Sequence, residues 1–387
     1  MDFKLSKEHE MARKLYQEFA TNELEPLAAE IDEEERFPWE TIPKLAKAGM
    51  MGVPIPKKYG GSGGDHLMYC IMIEELAKKC VATSTIVAAH TSLCMGPIMA
   101  FGTEEQKMKW IPDLASGRKI GAFGLTEPGA GTDASGQQTV AVKDGDDWIL
   151  NGTKCFITNG DTASTYTVLA VTDRSKGYRG MTMFVVEAGT PGFSTGVHEK
   201  KMGIRASATN DLIFEDCRIP DANRLGKVGQ GWKVVMHTLN SARAGVAAQA
   251  LGIAQGAIDE CIPYLKERKQ FGKPLSKFQR TQFEIADMAT NIEAGKYLVY
   301  KGAWKEDATA RGDNSQADYA MDTAMAKLYC GQLANDVARR CCHLYGGYGY
   351  IRDYPAERFM RDAKIIEVYE GTNEAQRMVI SANLGIK

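Results

Sequence analysis

The sequence predicts an α+β multidomain protein: an N-terminal α-helical domain over residues 1–120, a middle antiparallel β domain over 121–228 and a C-terminal antiparallel four-helix bundle over 229–387. Three observations predict it. Apolar residues recur at helical spacing in the first third, and they alternate with period two in the middle. After Val228-Gly229-Gln230-Gly231 the helical texture returns and proline nearly vanishes, with only Pro263, Pro274 and Pro355 remaining.

In the first domain Leu15, Phe19, Leu24, Leu27 and Ile31 outline a helical face between charged residues. Glu74-Glu75-Leu76-Ala77-Lys78-Lys79 reads as a further amphipathic face. The stretch Ala82 to Phe101 is apolar, with His90 its one ionisable residue, and predicts a buried helix. Tyr59 to Gly64 holds too many glycines for a helix. Its backbone could cradle a phosphate, but no Lys-Ser/Thr follows, and a connector is favoured.

In the middle domain Thr139 to Val142 leads through Lys143-Asp144-Gly145-Asp146-Asp147 into Trp148-Ile149-Leu150, a hairpin signal. Asn151-Gly152 predicts a second turn before Cys155 to Thr158. Tyr166 to Val171, Met181 to Val186 and Leu212 to Phe214 continue the strand texture, mostly antiparallel. In the last domain, helices are predicted over Trp232–Arg268, Lys277–Arg311 and Gln316–Tyr345, joined by short loops. Pro263 lies inside the first and is expected to kink it, since it removes a backbone donor.

With 44% apolar and 25% charged residues in 387, the composition is that of an ordinary globular chain with a sizeable core. Lys and Arg number 47 against 49 Asp and Glu, so no basic field exists for nucleic acid. No run of 18 uninterrupted apolar residues predicts a membrane span. The opening MDFKLSKEHEMARKLYQEF, with acids at Asp2, Glu8 and Glu10, reads as neither a secretory nor a transit segment. Nine cysteines without a C-x-x-C pair argue against a disulfide framework and a zinc site, and point to the reducing cytoplasm.

Five constellations carry chemistry. The first, Gly124 to Asp133 (GLTEPGAGTD), contains with Ala134 a formal G-x-G-x-x-A match. A dinucleotide fold needs a helix after it, and a hairpin follows instead. Either a junction loop or a loop gripping a planar cofactor through backbone N–H groups, Thr126 and Thr132 fits better. The second, Lys154 to Gly160 (KCFITNG), places Phe156 and Thr158 two apart on one strand, hence on one face. The third, Glu267 to Pro274, sets Arg268, Lys269 and Lys273 near a helix end, where they complement its dipole or bind a diphosphate. The fourth, His343 to Tyr350, has three glycines among aromatics, more than a helix C-cap uses. The fifth, Val368 to Arg377, holds Glu370 between Tyr369 and Gly371 before a helix that Thr372 or Asn373 could cap. A carboxylate among apolar groups gains a raised pKa and can act as a general base; a solvated loop glutamate is the alternative.

Taken together, GLTEPGAGTD, KCFITNG, ERKQFGKPLSKFQ, LYGGYGY and YEGTNEAQR resemble the acyl-CoA dehydrogenase family, over essentially the whole chain and in its helix–sheet–helix order. Ser92 to Pro97 and Ala247 to Gln255 are most similar to bacterial short-chain, butyryl-type members. The resemblance implies an FAD enzyme that oxidises an acyl-CoA to the trans-2-enoyl-CoA, with Glu370 taking the α proton while a hydride leaves the β carbon. It assigns the flavin ring to Phe123, Leu125, Thr126, Phe156, Ile157 and Thr158. Gly131 and Thr132 come near the phosphates, Thr132 also touching substrate. Arg268, Gln270, Phe271, Gln279 and the loop His343, Leu344, Tyr345, Gly346 and Gly347 match positions that hold the diphosphate and adenine across a subunit boundary. Thr372, Asn373 and Glu374 close that site. Asn240, Ser241, Ala242 and Arg243 match the CoA-adenine segment, and Tyr369 and Gly371 flank the base as substrate contacts. An obligate homo-oligomer, a tetramer in most relatives, and an electron-transferring flavoprotein as redox partner are further implied.

The chain departs from the family pattern at His343, where relatives carry Gln, and at Asn240, where they carry Asp. Ala242 lacks the carboxylate that some branches use as base, leaving Glu370. Ser84 stands where the glutaryl branch has Arg, which favours a neutral short acyl chain. The competing readings are an oxidase-like flavin relative, in which oxygen takes the electrons, and a catalytically silent assembly protein.

Overall fold

A computed structural model describes residues 4–313 and 319–386. The first third is helical: α1 Lys7–Phe19, α2 Ala28–Glu33, α3 Ile42–Lys47, α4 His66–Ala77, α5 Val81–Ala88, α6 Gly96–Phe101 and α7 Glu104–Ala115. Ser6, Asp65 and Thr103 cap α1, α4 and α7 with side-chain oxygens, and Thr103 with Gln106 closes a capping box. A π-helical turn over Ala89–Met95 joins α5 to α6, so the apolar run is one helical path from Val81 to Phe101. That path is long and apolar enough to cross a membrane, yet it is buried inside the protein as its core helix.

Two local expectations change. Leu15 is 49% exposed, because α1 turns Tyr16 inward and a π-turn at Ala20–Leu24 re-phases the face that Leu24 and Ile31 then bury. Glu74 and Glu75 are buried rather than solvated. They are held by Arg13 and Lys78 at 2.8–3.2 Å and by the Tyr300 hydroxyl at 2.6 Å. The glycine-rich segment is a connector: the N–H groups of Ser62, Gly63 and Gly64 donate to the carbonyls of Gly52, Ile55 and Val53, leaving none for a phosphate.

The middle is an eight-stranded sheet: β1 Gly121–Gly124, β2 Val140–Asp144, β3 Asp147–Thr158, β4 Thr165–Val171, β5 Met181–Glu187, β6 Phe193–His198, β7 Thr209–Pro220 and β8 Arg224–Leu225. Its order is β6-β7-β3-β2-β4-β5-β8, antiparallel except that β1 and the start of β2 run parallel to β4. Asn151-Gly152 is a bulge within β3, not a turn. Asn151 pairs sideways with Asp216 at 2.8 and 3.0 Å, and a Cβ on Gly152 would lie 2.5 Å from Thr139 Oγ1. The glycine therefore lets the two chains close.

The last third comprises α8 Gly231–Glu267, the short hairpin β9 Lys269–Gln270 and β10 Lys273–Pro274, α9 Gln279–Ala310, α10 Tyr319–Leu344, α11 Ala356–Lys364 and α12 Asn373–Asn383. The predicted start of the third long helix, Gln316, lies outside the described residues, as do Asp2 and Lys387. Helix α8 remains helical through Pro263 to Glu267. Its stripe Gly245, Gly252 and Gly256 faces α4 and the residue just beyond it; a Cβ on Gly252 would come 2.3 Å from the Glu74 carbonyl oxygen. N- and C-terminal helices thus share one core through this seam.

Candidate active site

Two of the sequence motifs are clamped together by a buried ion pair. Lys154, fully buried on β3, donates to Glu127 Oε1 at 2.7 Å, to the Leu125 carbonyl at 3.3 Å and to Gln137. Glu127 in turn accepts the N–H groups of Gln138 and Thr139 at 2.6 and 3.0 Å. Burial pushes Lys154 down to about 8 against the pull of Glu127. For Glu127, burial is outweighed by the Lys154 charge, which holds the carboxyl below its usual value. The Cys155 N–H donates to Thr126 at 2.9 Å. No helix follows the glycines of the loop, so the dinucleotide-fold match is formal only.

This clamp sets one wall of a cleft. Phe123, Leu125 and Thr126 lead off β1, and Phe156, Ile157 and Thr158 close β3. Three consecutive residues cannot line one side of a regular strand. Here a register shift between Lys154 and Ile157, with Phe156 at φ 57°, breaks the alternation and leaves Phe156 63% exposed. The opposite wall is Thr85, Ala88, Ala89 and Leu93 from the apolar helix, with Leu239, Tyr369 and Glu370 completing a cleft of about 120 Å³.

Glu370 enters this cleft on a turn in which it and Gly371 both take positive φ, 50° and 92°. Left-handed backbone is rare for a side-chain-bearing residue. The Gly371 carbonyl is held from beneath by Lys327 Nζ at 2.6 Å and Gln376 Nε2 at 2.9 Å. Glu370 Oε2 is buried without a hydrogen-bond partner. Burial pushes the carboxyl up to about 8, while Lys327 and Arg243 pull it back. Beside it the Tyr369 hydroxyl donates to Gln249, whose amide donates to Ser84 Oγ at 2.9 Å and Thr85 Oγ1 at 2.7 Å.

A second cleft, of about 560 Å³, is lined by Tyr264, Arg268, Gln270, Leu275, His343 to Tyr348 and Ile351. Tyr264 and Tyr345 stack at 4.1 Å, and the Arg268 guanidinium lies 5.3 Å from the Tyr348 ring centroid. The two clefts share no lining residue. A dinucleotide cofactor is compatible with the donors present: an apolar slot for its ring, and an open cationic rim for phosphates. An added Cβ at Gly131, Gly346 or Gly347 meets nothing within 4 Å, so an incoming group can approach that backbone.

The remaining expected residues fall outside both linings. Gly131 and Thr132 lie exposed on the loop. Phe271, at φ 52°, is 94% exposed at the tip of the β9–β10 hairpin, and Gln279 is exposed at the start of α9. Thr372 caps α12 by accepting the Ala375 N–H at 3.2 Å; Asn373 is buried and Glu374 pairs with Arg377. On α8, Ala242 and Arg243 are buried, Ser241 is partly exposed, and Arg243 bonds Asn240 Oδ1 at 2.6 Å while its charge faces Glu370. Sequence reasoning missed Lys327, Gln249, Gln376 and the Glu127–Lys154 pair. Lys327 leaves a signal: it falls in phase with Thr323, Cys330, Ala334, Val337 and Cys341, a stripe that the helix buries.

Comparison with known proteins covers the whole chain. Family models match in order: acyl-CoA dehydrogenase N-terminal domain over residues 6–118, middle domain over 122–217 and C-terminal domain over 229–385. The short-chain-specific acyl-CoA dehydrogenase of Clostridium acetobutylicum is 53% identical over 99% of this chain and 100% of its own. The structure of butyryl-CoA dehydrogenase from Megasphaera elsdenii matches at TM-score 0.96 and 47% identity, over 99% of this chain and 100% of its own. A chain from a structure described as the electron transferring flavoprotein of Acidaminococcus fermentans, in work on flavin-based electron bifurcation, matches at TM-score 0.96 and 49% identity over 99% of each.

Proposed function

This chain belongs to the acyl-CoA dehydrogenase family and is an oxidoreductase of that kind, and from that footing we propose that it desaturates a neutral short-chain acyl-CoA, of butyryl type, with Glu370 as the base. The observation that carries the proposal is a carboxylate with one oxygen buried and unpartnered, facing a narrow cleft between an apolar helix and the Phe123–Thr126 and Phe156–Thr158 walls.

The residues act as follows. An α C–H is a weak acid, so its removal needs a base of raised pKa and a stabilised thioester oxygen. Burial supplies the first at Glu370. The Glu370 backbone N–H donates to the thioester oxygen, so one residue serves both needs. Thr85, Ala88, Ala89 and Leu93 pack the acyl chain and exclude water, with Tyr369 fixed by Gln249 at their side. FAD, when bound, supplies the hydride acceptor. Phe123, Leu125, Thr126, Phe156, Ile157 and Thr158 hold its ring, and Arg268, Gln270 and His343 to Gly347 offer the cationic, glycine-rich cleft for a diphosphate.

That the ring and diphosphate sites form separate clefts in one chain, with Phe271 standing 94% exposed, supports a homo-oligomer in which one copy completes the site of another. The Acidaminococcus fermentans relative supports an electron-transferring flavoprotein as electron acceptor. Nine free cysteines suit a reducing cytoplasm. The test is anaerobic titration of the yellow enzyme with C4 to C12 acyl-CoAs. Bleaching by butyryl-CoA followed by slow reoxidation in air is expected. Absence of bleaching would point to a silent member, and rapid reoxidation by oxygen to an oxidase.

A further inference from the structure

We propose that Lys327 is a positioning residue for Glu370, an ammonium on α10 that holds the turn carrying the base and supplies the positive field that favours its ionised form. The proposal rests on the reading of Glu370 as the base.

The geometry is specific. Lys327 is 0% exposed and makes no ion pair among the described residues; its hydrogen-bond acceptor is the Gly371 carbonyl oxygen at 2.6 Å. Burying an ammonium against a single neutral carbonyl is a costly arrangement. A neutral amide suffices to hold that carbonyl, and Gln376 Nε2 already does so at 2.9 Å. What the cation adds is charge, which it carries below about pH 8, where burial has pushed its pKa. Its strongest charged neighbour is Glu370, and Lys327 is in turn the strongest charged influence on Glu370.

The other groups facing this pair are few. Arg243 on α8 faces both residues, Tyr69 on α4 and the adjoining Tyr369 feel Glu370, and Glu367 and Glu374 act on Lys327. Arg243 already bonds Asn240, whereas Lys327 grips the turn itself. The positive φ at Glu370 and Gly371 makes that grip matter. With Gln376, Lys327 places two donors on one carbonyl oxygen of that turn.

The experiment compares Lys327→Gln, which keeps a donor without charge, Lys327→Met, and Lys327→Arg, which keeps the charge, all as FAD-loaded protein. The pKa of the Glu370 carboxyl is read by infrared difference spectroscopy against Glu370→Gln. The rate of flavin bleaching by butyryl-CoA is followed across pH. In Lys327→Gln and Lys327→Met the acid limb should move up by about one pH unit, so that bleaching at pH 7 falls about tenfold and recovers as pH rises. Lys327→Arg should retain the parental limb. A parental carboxyl titration in Lys327→Gln would overturn the proposal, as would a Lys327→Arg limb shifted as far as that of Met. If Lys327→Met fails to fold, the Gln and Arg pair still decides. Parental bleaching by Glu370→Gln would instead overturn the base assignment, which is a different failure.

Discussion

The Lys154 ammonium and the Glu127 carboxylate lie 2.7 Å apart with 0% and 3% of their side chains exposed. The pair fastens the loop after β1 to the strand that carries Phe156, so the two halves of one cleft wall are tied together. Removing one partner strands the other as a buried charge. Lys154→Met should therefore cost about 3–5 kcal/mol, read as a lowered urea midpoint, and release FAD during purification. Replacing both with apolar residues should cost less than the sum of the single changes.

Glu370→Gln keeps side-chain size and removes the basic oxygen. Bleaching by butyryl-CoA should slow by about 10²–10⁴-fold while the fold and yellow colour persist. Butyryl-CoA should still perturb the flavin spectrum, because the backbone N–H at this position is retained. Stopped-flow absorbance separates that perturbation from reduction.

Ionisation of Glu370 gives a pH profile and a stability profile of opposite slope. If Glu370 is the base it must be deprotonated, so kcat/KM should rise through about pH 8 and then level. The folded state keeps a proton that the unfolded chain releases near 4.5. Its stabilising share is thus complete below 4.5 and is lost as pH rises through about 8. Glu370→Gln, which cannot ionise, should be more stable than the parent at pH 9 by on the order of 1–3 kcal/mol, with the gap closing at pH 4.5. Urea titrations at the two pH values check it.

Arg268→Ala removes the cation from the rim of the second cleft. If that rim holds the diphosphate, losing a charge-assisted bond should cost about 1.5–3 kcal/mol of FAD binding. The variant should purify partly colourless and regain turnover with added FAD. Full flavin content without supplementation would leave Arg268 only its stacking on Tyr348.

If the acyl chain packs on Thr85, Ala88, Ala89 and Leu93, its length is limited by a helix whose far side is core. Each methylene beyond the cleft's reach is worth about 1–3 kcal/mol in discrimination. Butyryl-CoA should thus exceed decanoyl-CoA greatly in kcat/KM. Equal values from C4 to C10 would sink the short-chain assignment.

The helix–sheet–helix order was legible because it rests on period and turn chemistry, which are local. The Asp144–Asp147 hairpin stands where Asp-Gly signalled it. Asn151-Gly152 misled because the same dipeptide serves a bulge, and only the approach of Thr139 distinguishes the two. Glu74 and Glu75 looked solvated because their partners, Arg13 and Tyr300, lie far away in sequence. Within the cleft, the motifs flagged Phe156, Thr158 and Glu370. Lys327 and Gln249 escaped because a lone polar residue inside a helical stretch shows its purpose only once the opposing turn or helix is in place.

The glycine seam between α4 and α8 also sets a timetable for manufacture. Glu74 and Gly252 are separated by 178 residues of chain, so α4 leaves the ribosome well before the helix that covers it exists. At about 5–20 residues per second the wait is roughly ten to thirty-five seconds. Through that interval the stretch Tyr69 to Ala77, destined to be wholly interior, has only neighbours such as α1 and α5 to lie against, and the face that α8 will cover stays open. A nascent chain halted before α8 should therefore be a client for holding chaperones, and a stop codon in the middle domain should yield inclusion bodies instead of a shorter soluble product.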